Sequence, residues 1–268
     1  MNQPIISKLR IYPIKSLGFL EVEEAEIGMH SLKNDRIFAM IDEDGRYING
    51  KRTSLVNQLK TTYDLEEGMV YFTEKTTKDP IGFELREENT DLNNYLSDFF
   101  DIKLQLIQDE QGRLMDIPFE SSVTIVSEAS LQYLQKDLDR YSLENMRLRF
   151  RSNIELSGVE AFWEEQLYVQ PGVGVRFQMG DVEMIGISPR ARCNVPPQSP
   201  VDGEMDFRFA KNMMESRSKH VDSIDNVLQY GKSPYFLTIN VFVPKTEQGK
   251  KINLNDPIKN LESVQLRA

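Results

Sequence analysis

The sequence predicts a mainly β fold with peripheral helices, on three observations. Short alternating runs meet at glycine-bearing turns in the first third, glycines separate further strand runs in the second half, and two stretches recur at helical spacing. Leu9-Arg10-Ile11-Tyr12 alternates as a strand does. Arg36 to Ile41 leads into Asp42-Glu43-Asp44-Gly45 and then Arg46 to Ile48, and an Asp-Gly between extended runs signals a hairpin. A second hairpin is predicted where Thr61 to Leu65 meets Met69 to Phe72 across Glu66-Glu67-Gly68. Leu92, Tyr95, Leu96 and Phe99 form one helical stripe; Leu131, Leu134 and Leu138 form another, after an N-cap at Ser127.

Gln108 to Ile117 carries Gly112 and charged residues without a period, so the chain is divided there into units of 1–112 and 113–268. Strands are expected at Asn153 to Leu156, Val173 to Phe177 and Val182 to Ile187, with glycines at 158, 172, 174 and 180 between them. Asn194-Val195-Pro196-Pro197-Gln198-Ser199-Pro200 cannot sustain a helix or an interior strand, because proline removes donors and fixes φ. It is read as a loop, ordered or mobile.

Composition bounds the chemistry. One cysteine, Cys193, excludes an intramolecular disulfide, a Cys-pair zinc site and a self-ligated iron–sulfur cluster, and fits a reducing compartment. Met1-Asn2-Gln3-Pro4 lacks the flank of a signal peptide and no run reaches the roughly 18 apolar residues of a spanning helix, so a cytoplasmic chain with no membrane contact is expected. With 42 acidic against 32 basic residues the net charge is -10, which argues against nucleic acid as a partner. An anionic ligand then needs a local cluster of basic groups. Cys193 follows Pro189-Arg190-Ala191-Arg192, and two guanidinium groups beside a thiol favour the thiolate.

These residues carry a resemblance. Phe150-Arg151-Ser152-Asn153-Ile154 with Gly158, Ala191-Arg192-Cys193, and Pro200-Val201-Asp202-Gly203-Glu204 resemble, in order and spacing, the core signature of a MOSC domain. Ile11-Tyr12-Pro13-Ile14-Lys15-Ser16 and Asn34-Asp35-Arg36 resemble the amino-terminal β-barrel domain that precedes MOSC in the amidoxime-reducing and hydroxylaminopurine-reducing branch. The resemblance implies a β-barrel-like amino-terminal domain packed on a MOSC β-barrel, with the molybdenum cofactor (Mo-molybdopterin) between them. It assigns Cys193 as the metal ligand and the catalytic residue, and places Lys15, Ser16, Arg36, Arg151 and Asn153 at the pterin and phosphate site, with Arg192 beside the ligand. Lys51 in Gly50-Lys51-Arg52 stands where the family carries arginine. Ser127, Glu128 and Ser130 match the start of a MOSC helix; an anion site there and simple capping by Ser127 explain the match equally well. Where relatives carry an acidic pair and then tryptophan, this chain has Phe162-Trp163-Glu164-Glu165.

The same likeness implies reduction of small N-hydroxylated compounds. No cysteine remains for a cluster and no Gly-x-Gly-x-x-Gly fingerprint occurs, so electrons are expected from a separate flavin or iron–sulfur reductase, docking near Asn194 to Glu204. The alternative is a sulfur carrier or cofactor-maturation protein with a Cys193 persulfide. Pyridoxal phosphate belongs to fused relatives and is not expected here. Rival signals fail on their residues. In Gly231-Lys232-Ser233, Asn226 replaces the first glycine of a phosphate loop and Pro234 blocks the helix; Asp42 to Gly45 lacks the later glutamate of a calcium loop; His30 and His220 sit in no ligand pattern.

Overall fold

The computed structural model describes residues 3–75, 79–116, 121–220, 227–231 and 233–266. Ile117, Asn226 and Lys232, which entered the boundary and the phosphate-loop arguments, lie outside them. In chain order the strands and helices are β1 (Ile5–Ile11), β2 (Leu20–Val22), β3 (Glu24–Glu26), β4 (Phe38–Asp42), β5 (Lys60–Asp64), β6 (Met69–Thr73), β7 (Ile81–Glu84), α1 (Thr90–Phe100), β8 (Leu104–Gln108), β9 (Val123–Ser127), α2 (Glu128–Leu138), α3 (Leu143–Phe150), β10 (Ile154–Ser157), β11 (Tyr168–Gln170), β12 (Val173–Met179), β13 (Val182–Ala191), α4 (Phe209–Ser218), β14 (Phe236–Phe242), β15 (Lys251–Asn253) and β16 (Ile258–Gln265). The fold is mainly β with peripheral helices, as the sequence predicts.

The turn chemistry accounts for the hairpins. β5 and β6 pair antiparallel across a turn in which Gly68 has φ +64°, and each strand buries alternate residues: Thr61 and Tyr63, then Val70 and Phe72. After β4 the chain reverses at Gly45, φ +73°, and Asp42 accepts from the backbone N–H groups of Asp44 and Arg46 while pairing with Arg46 and Arg52. That carboxylate is a turn cap. Asn89 and Ser127 cap α1 and α2 by accepting from Leu92 and Ser130 N–H, and the α2 stripe Leu131, Leu134 and Leu138 is buried. In α1 the buried residues are Leu92, Leu96 and Phe100, with Tyr95 and Phe99 packed at the edge of the core.

The largest sheet runs in the order β11-β12-β13-β14-β9-β10-β1-β2, with β16 on the other side of β12. Within it β9 and β10 are parallel and the other pairs antiparallel. A bridge from Ile5 to Pro257 ties the start of β1 to the residue before β16, so the path returns on itself in a barrel-like way. Its interior holds Ile6, Leu9, Ile125, Ile154, Phe177, Met184 and Ile239 in one cluster. A second core, from Ile14 to Leu106, is formed by β4, β8, the β5-β6-β7 sheet and α1. β1 and β2 therefore lie in the larger sheet and β3 pairs with β15, so the first strands cross the division expected near residue 112. The chain passes between the cores just after β1, and Lys15 and Ser16 lie on that passage.

Candidate functional site

β13 reaches the site as an irregular strand. Pro189 sits inside it and cannot donate to the ladder, which proline tolerates at bulges. The register with β14 shifts between Gly186 and Ser188 and again between Pro189 and Ala191, where the buried Thr238 of β14 takes φ +67°. Such a bulge bends the strand and re-aims its side chains. Arg190 donates to Asn240 Oδ1 at 2.9 Å, Arg192 N–H donates to Tyr235 O at 3.0 Å, and Cys193 follows, exposed.

The other cations come from the passage between cores and from the end of α3. Arg151 is the C-cap of α3 at φ 52°, a left-handed position where glycine is the common choice. Ser16 (φ 73°) and Arg36 (φ 52°) are left-handed as well. Each such residue costs on the order of 1–3 kcal/mol; at Arg151 the conformation also ends a helix, as it does at Asp101 and Asp139, the C-caps of α1 and α2. The Arg36 and Arg151 guanidinium groups lie 4.8 and 4.3 Å from the centre of the Tyr12 ring. Arg151 donates to Leu17 O at 2.7 Å; Arg36 pairs with the fully buried Asp35 and donates to Asn153 Oδ1 at 3.2 Å.

Lys15, Ser16, Arg36, Lys51, Arg151, Arg192 and Cys193 line one cavity of about 530 Å³. Two expected site residues lie elsewhere. Asn153 is buried behind the wall, donating to Arg10 O and accepting from Thr124 and Arg36, so it positions Arg36. Ser127 is fully buried and serves α2 as its cap, bonded to Ser130 Oγ at 2.7 Å; it is not among the lining residues. The cavity also takes Asn49, Asn57, Asp116, Arg149, Arg190 and Asn240. Arg190 was legible as the second guanidinium beside Cys193 in Pro189-Arg190-Ala191-Arg192. Asp116, on the aperiodic segment between the units, carried no such signal.

Among the lining residues seven side chains are basic, Lys15, Arg36, Lys51, Arg149, Arg151, Arg190 and Arg192, against the single carboxylate of Asp116. Burial pushes Arg192 down to about 10, helped by Arg190 and opposed by Cys193. Burial likewise lowers Lys15, Arg151 and Arg190. Burial raises Asp116, but Lys15, Lys51 and Arg190 outweigh it and hold the carboxyl below its usual range. Arg192 Nη2 donates to Phe150 O, while its Nε and Nη1 are buried without a hydrogen-bond partner. Buried donors without a partner call for an explanation, and an anion beside the guanidinium would supply one.

The loop after Cys193 is tied down. Arg149 donates to Pro196 O and Gln198 O at 2.6 and 2.9 Å, Gln198 donates to Gly50 O at 2.7 Å and accepts from Asn57, and Gln58 donates to Asp202 O. Of the two alternatives the sequence leaves open for this loop, the hydrogen bonds favour the ordered one. Its anchors lie on both units, so it also closes one side of the cavity.

Fold and cleft define a β protein with two cores framing one cationic cavity, a cysteine on its rim. The family model of the MOSC N-terminal beta barrel domain matches residues 3–116, and that of the MOSC domain matches residues 101–232. The chain belongs to the MOSC superfamily and carries both domains. It is 22% identical over 268 residues to human "Molybdenum cofactor sulfurase", covering 81% of this chain and 29% of that protein, so it spans under a third of the sulfurase. It is 26% identical over 275 residues to mouse "Mitochondrial amidoxime-reducing component 1", covering 86% of this chain and 76% of that protein. Among solved structures, the YUAD protein from Bacillus subtilis is 10% identical with a TM-score of 0.37, covering 96% of this chain and 97% of that one. Family and relatives tie the chain to molybdenum-cofactor proteins. Among the described residues no helix is long and apolar enough to cross a membrane.

Proposed function

We propose that the chain is a molybdenum cofactor-binding oxidoreductase that reduces small N-hydroxylated compounds with electrons from a separate flavin or iron–sulfur reductase. The observation that supports it is the exposed Cys193 thiol on the rim of a cavity where Arg192 keeps two buried donors idle. The donor set fits molybdopterin: the guanidinium groups of Arg36, Arg151 and Arg192, with Lys15, Lys51 and the Ser16 hydroxyl, suit a phosphate ester and a polar ring system, and the one thiolate suits a redox metal. When bound, the cofactor supplies the oxygen-removing step, in which a hydroxylamine takes two electrons and two protons and leaves as amine and water. The chain's own residues bind and orient. Arg36 and Arg151, fixed on Tyr12, present cations without a large loss of side-chain entropy. The similarity to the mouse mitochondrial amidoxime-reducing component supports this reading.

The similarity to molybdenum cofactor sulfurases favours a second reading, a sulfur carrier with a Cys193 persulfide. Protein purified from a cofactor-competent host decides between them. The oxidoreductase retains molybdenum and pterin, reduces a hydroxylamine with a low-potential dye, and uses NADH only with a partner reductase. Cyanide-releasable sulfur on Cys193 with no reductase activity would establish the carrier instead. NADH oxidation by the isolated, flavin-free chain would overturn the separate-donor part.

A further inference from the structure

The cavity that gathers seven basic side chains also holds one carboxylate, and that carboxylate already engages three of them. Asp116 Oδ1 lies 2.9 Å from Lys15 Nζ, and Oδ2 lies 3.7 Å from Lys51 Nζ and 3.8 Å from Arg190 Nη2. The three cations come from separate segments: the turn after β1, the stretch after β4, and β13. Brought together alone, they repel. A single anion among them relieves that repulsion, and a ligand phosphate would do so from the same place.

Two features make Asp116 replaceable. Only its contact with Lys15 is within hydrogen-bond range, the other two being longer ionic contacts. Its side chain is 42% exposed, against 10% for Lys15 and 20% for Arg190, so it stands on the solvent side of those two cations, while Lys51 at 53% is as open to solvent as the carboxylate. Lys15 keeps a second anchor after Asp116 departs, through its 2.7 Å bond to Leu114 O. We propose, on the reading of the cleft as an anion site, that Asp116 is a built-in competitor for the incoming anion and sets which anions the cleft accepts. A ligand must bring more negative charge than the carboxylate it displaces. Phosphate monoesters, close to doubly charged near neutral pH, meet that condition, and a single carboxylate does not.

The test uses the full chain made in a host that lacks the pterin cofactor, with inorganic phosphate and acetate as probes, read by calorimetry and thermal melting. Asp116→Ala binds phosphate on the order of tenfold tighter than the parent, the worth of one charge-assisted hydrogen bond no longer lost. Acetate raises the melting temperature of Asp116→Ala and leaves the parent unmoved, because it fills the place of the missing carboxylate. Asp116→Asn repeats the phosphate result in an isosteric variant and serves if the alanine variant folds poorly. Asp44→Ala removes an equal charge from an exposed turn, and equal tightening there would replace the competitor by a net-charge effect. Unchanged phosphate affinity in both Asp116 variants, with binding lost in Arg36→Gln, would overturn the competitor and leave the anion site standing. Phosphate binding that is absent throughout, or undiminished in Arg36→Gln, would overturn the anion site itself.

Discussion

Replacing Arg151 by alanine and by glycine separates what its side chain does from what its backbone costs. The side chain donates to Leu17 O at 2.7 Å and lies 4.3 Å from the Tyr12 ring centre. Those contacts are worth about 2–4 kcal/mol together, less the desolvation that lowers the guanidinium pKa, so Arg151→Ala should cost about 2 kcal/mol. At φ 52° the alanine keeps the left-handed backbone, which glycine adopts freely. Arg151→Gly should therefore be about 1 kcal/mol more stable than Arg151→Ala, reversing the order seen inside helices. Urea unfolding reads the difference directly, and in melting it amounts to roughly 2–4 °C. Both variants should lose phosphate binding equally. Alanine as stable as glycine would show that Arg151 is unstrained and remove backbone strain as a mark of this cleft.

Three further outcomes follow from the same contacts. Cys193→Ala should lose molybdenum, measured by metal analysis, while melting at the same temperature as the parent when both are made free of cofactor, since the thiol is exposed and outside both cores; retained metal would end its role as ligand. Gln198→Ala removes the bonds to Gly50 O and from Asn57 and should cost about 1–3 kcal/mol, with faster proteolysis of the loop; unaltered stability would mean Arg149 alone holds it. Burial raises the Glu164 pKa, partly opposed by Ser130 and Ser127, so its contribution is fully present below the unfolded value near 4.3 and is lost as pH rises through the folded one. Glu164→Gln should accordingly gain stability relative to the parent at pH 8 and not at pH 4, a difference that parallel denaturation curves at the two pH values would reveal or refute.

Local rules carried the sequence where the structure obeys them. Gly68 and Gly45 mark turns that need positive φ, and Ser127 and Asn89 sit at caps that need an acceptor. α3 escaped because its buried face is Met146, Arg149 and Phe150, with an arginine in place of an apolar residue. β14 is buried along nearly its whole length, so Phe236 to Phe242 shows no alternation to read. The order of the proline loop comes from Arg149 and Gln198, long-range partners that composition cannot reveal. Asn153 and Ser127 show the limit of residue type: a polar residue in the right stretch serves the wall of a site or a helix cap as readily as the ligand.

The net charge of -10 and the cationic cavity are compatible because charge acts locally. At physiological ionic strength exposed charges more than about 8 Å away are largely screened, whereas groups on a partly buried wall are not. Asp116 opposes the effect of burial on Lys15 and Arg190, and Arg36 is ion-paired with Asp35, so the cavity is assembled from partly neutralised cations. Arg192 departs from that rule, with two buried donors and no partner. Its guanidinium, next to Cys193, is held by one hydrogen bond, to Phe150 O, so an anion would gain most there. Asp116 guards the mouth of the same cavity. Asp116 touches Lys15 from the turn after β1 and Arg190 from β13, so the two segments that supply the cations face one another across a single anion position.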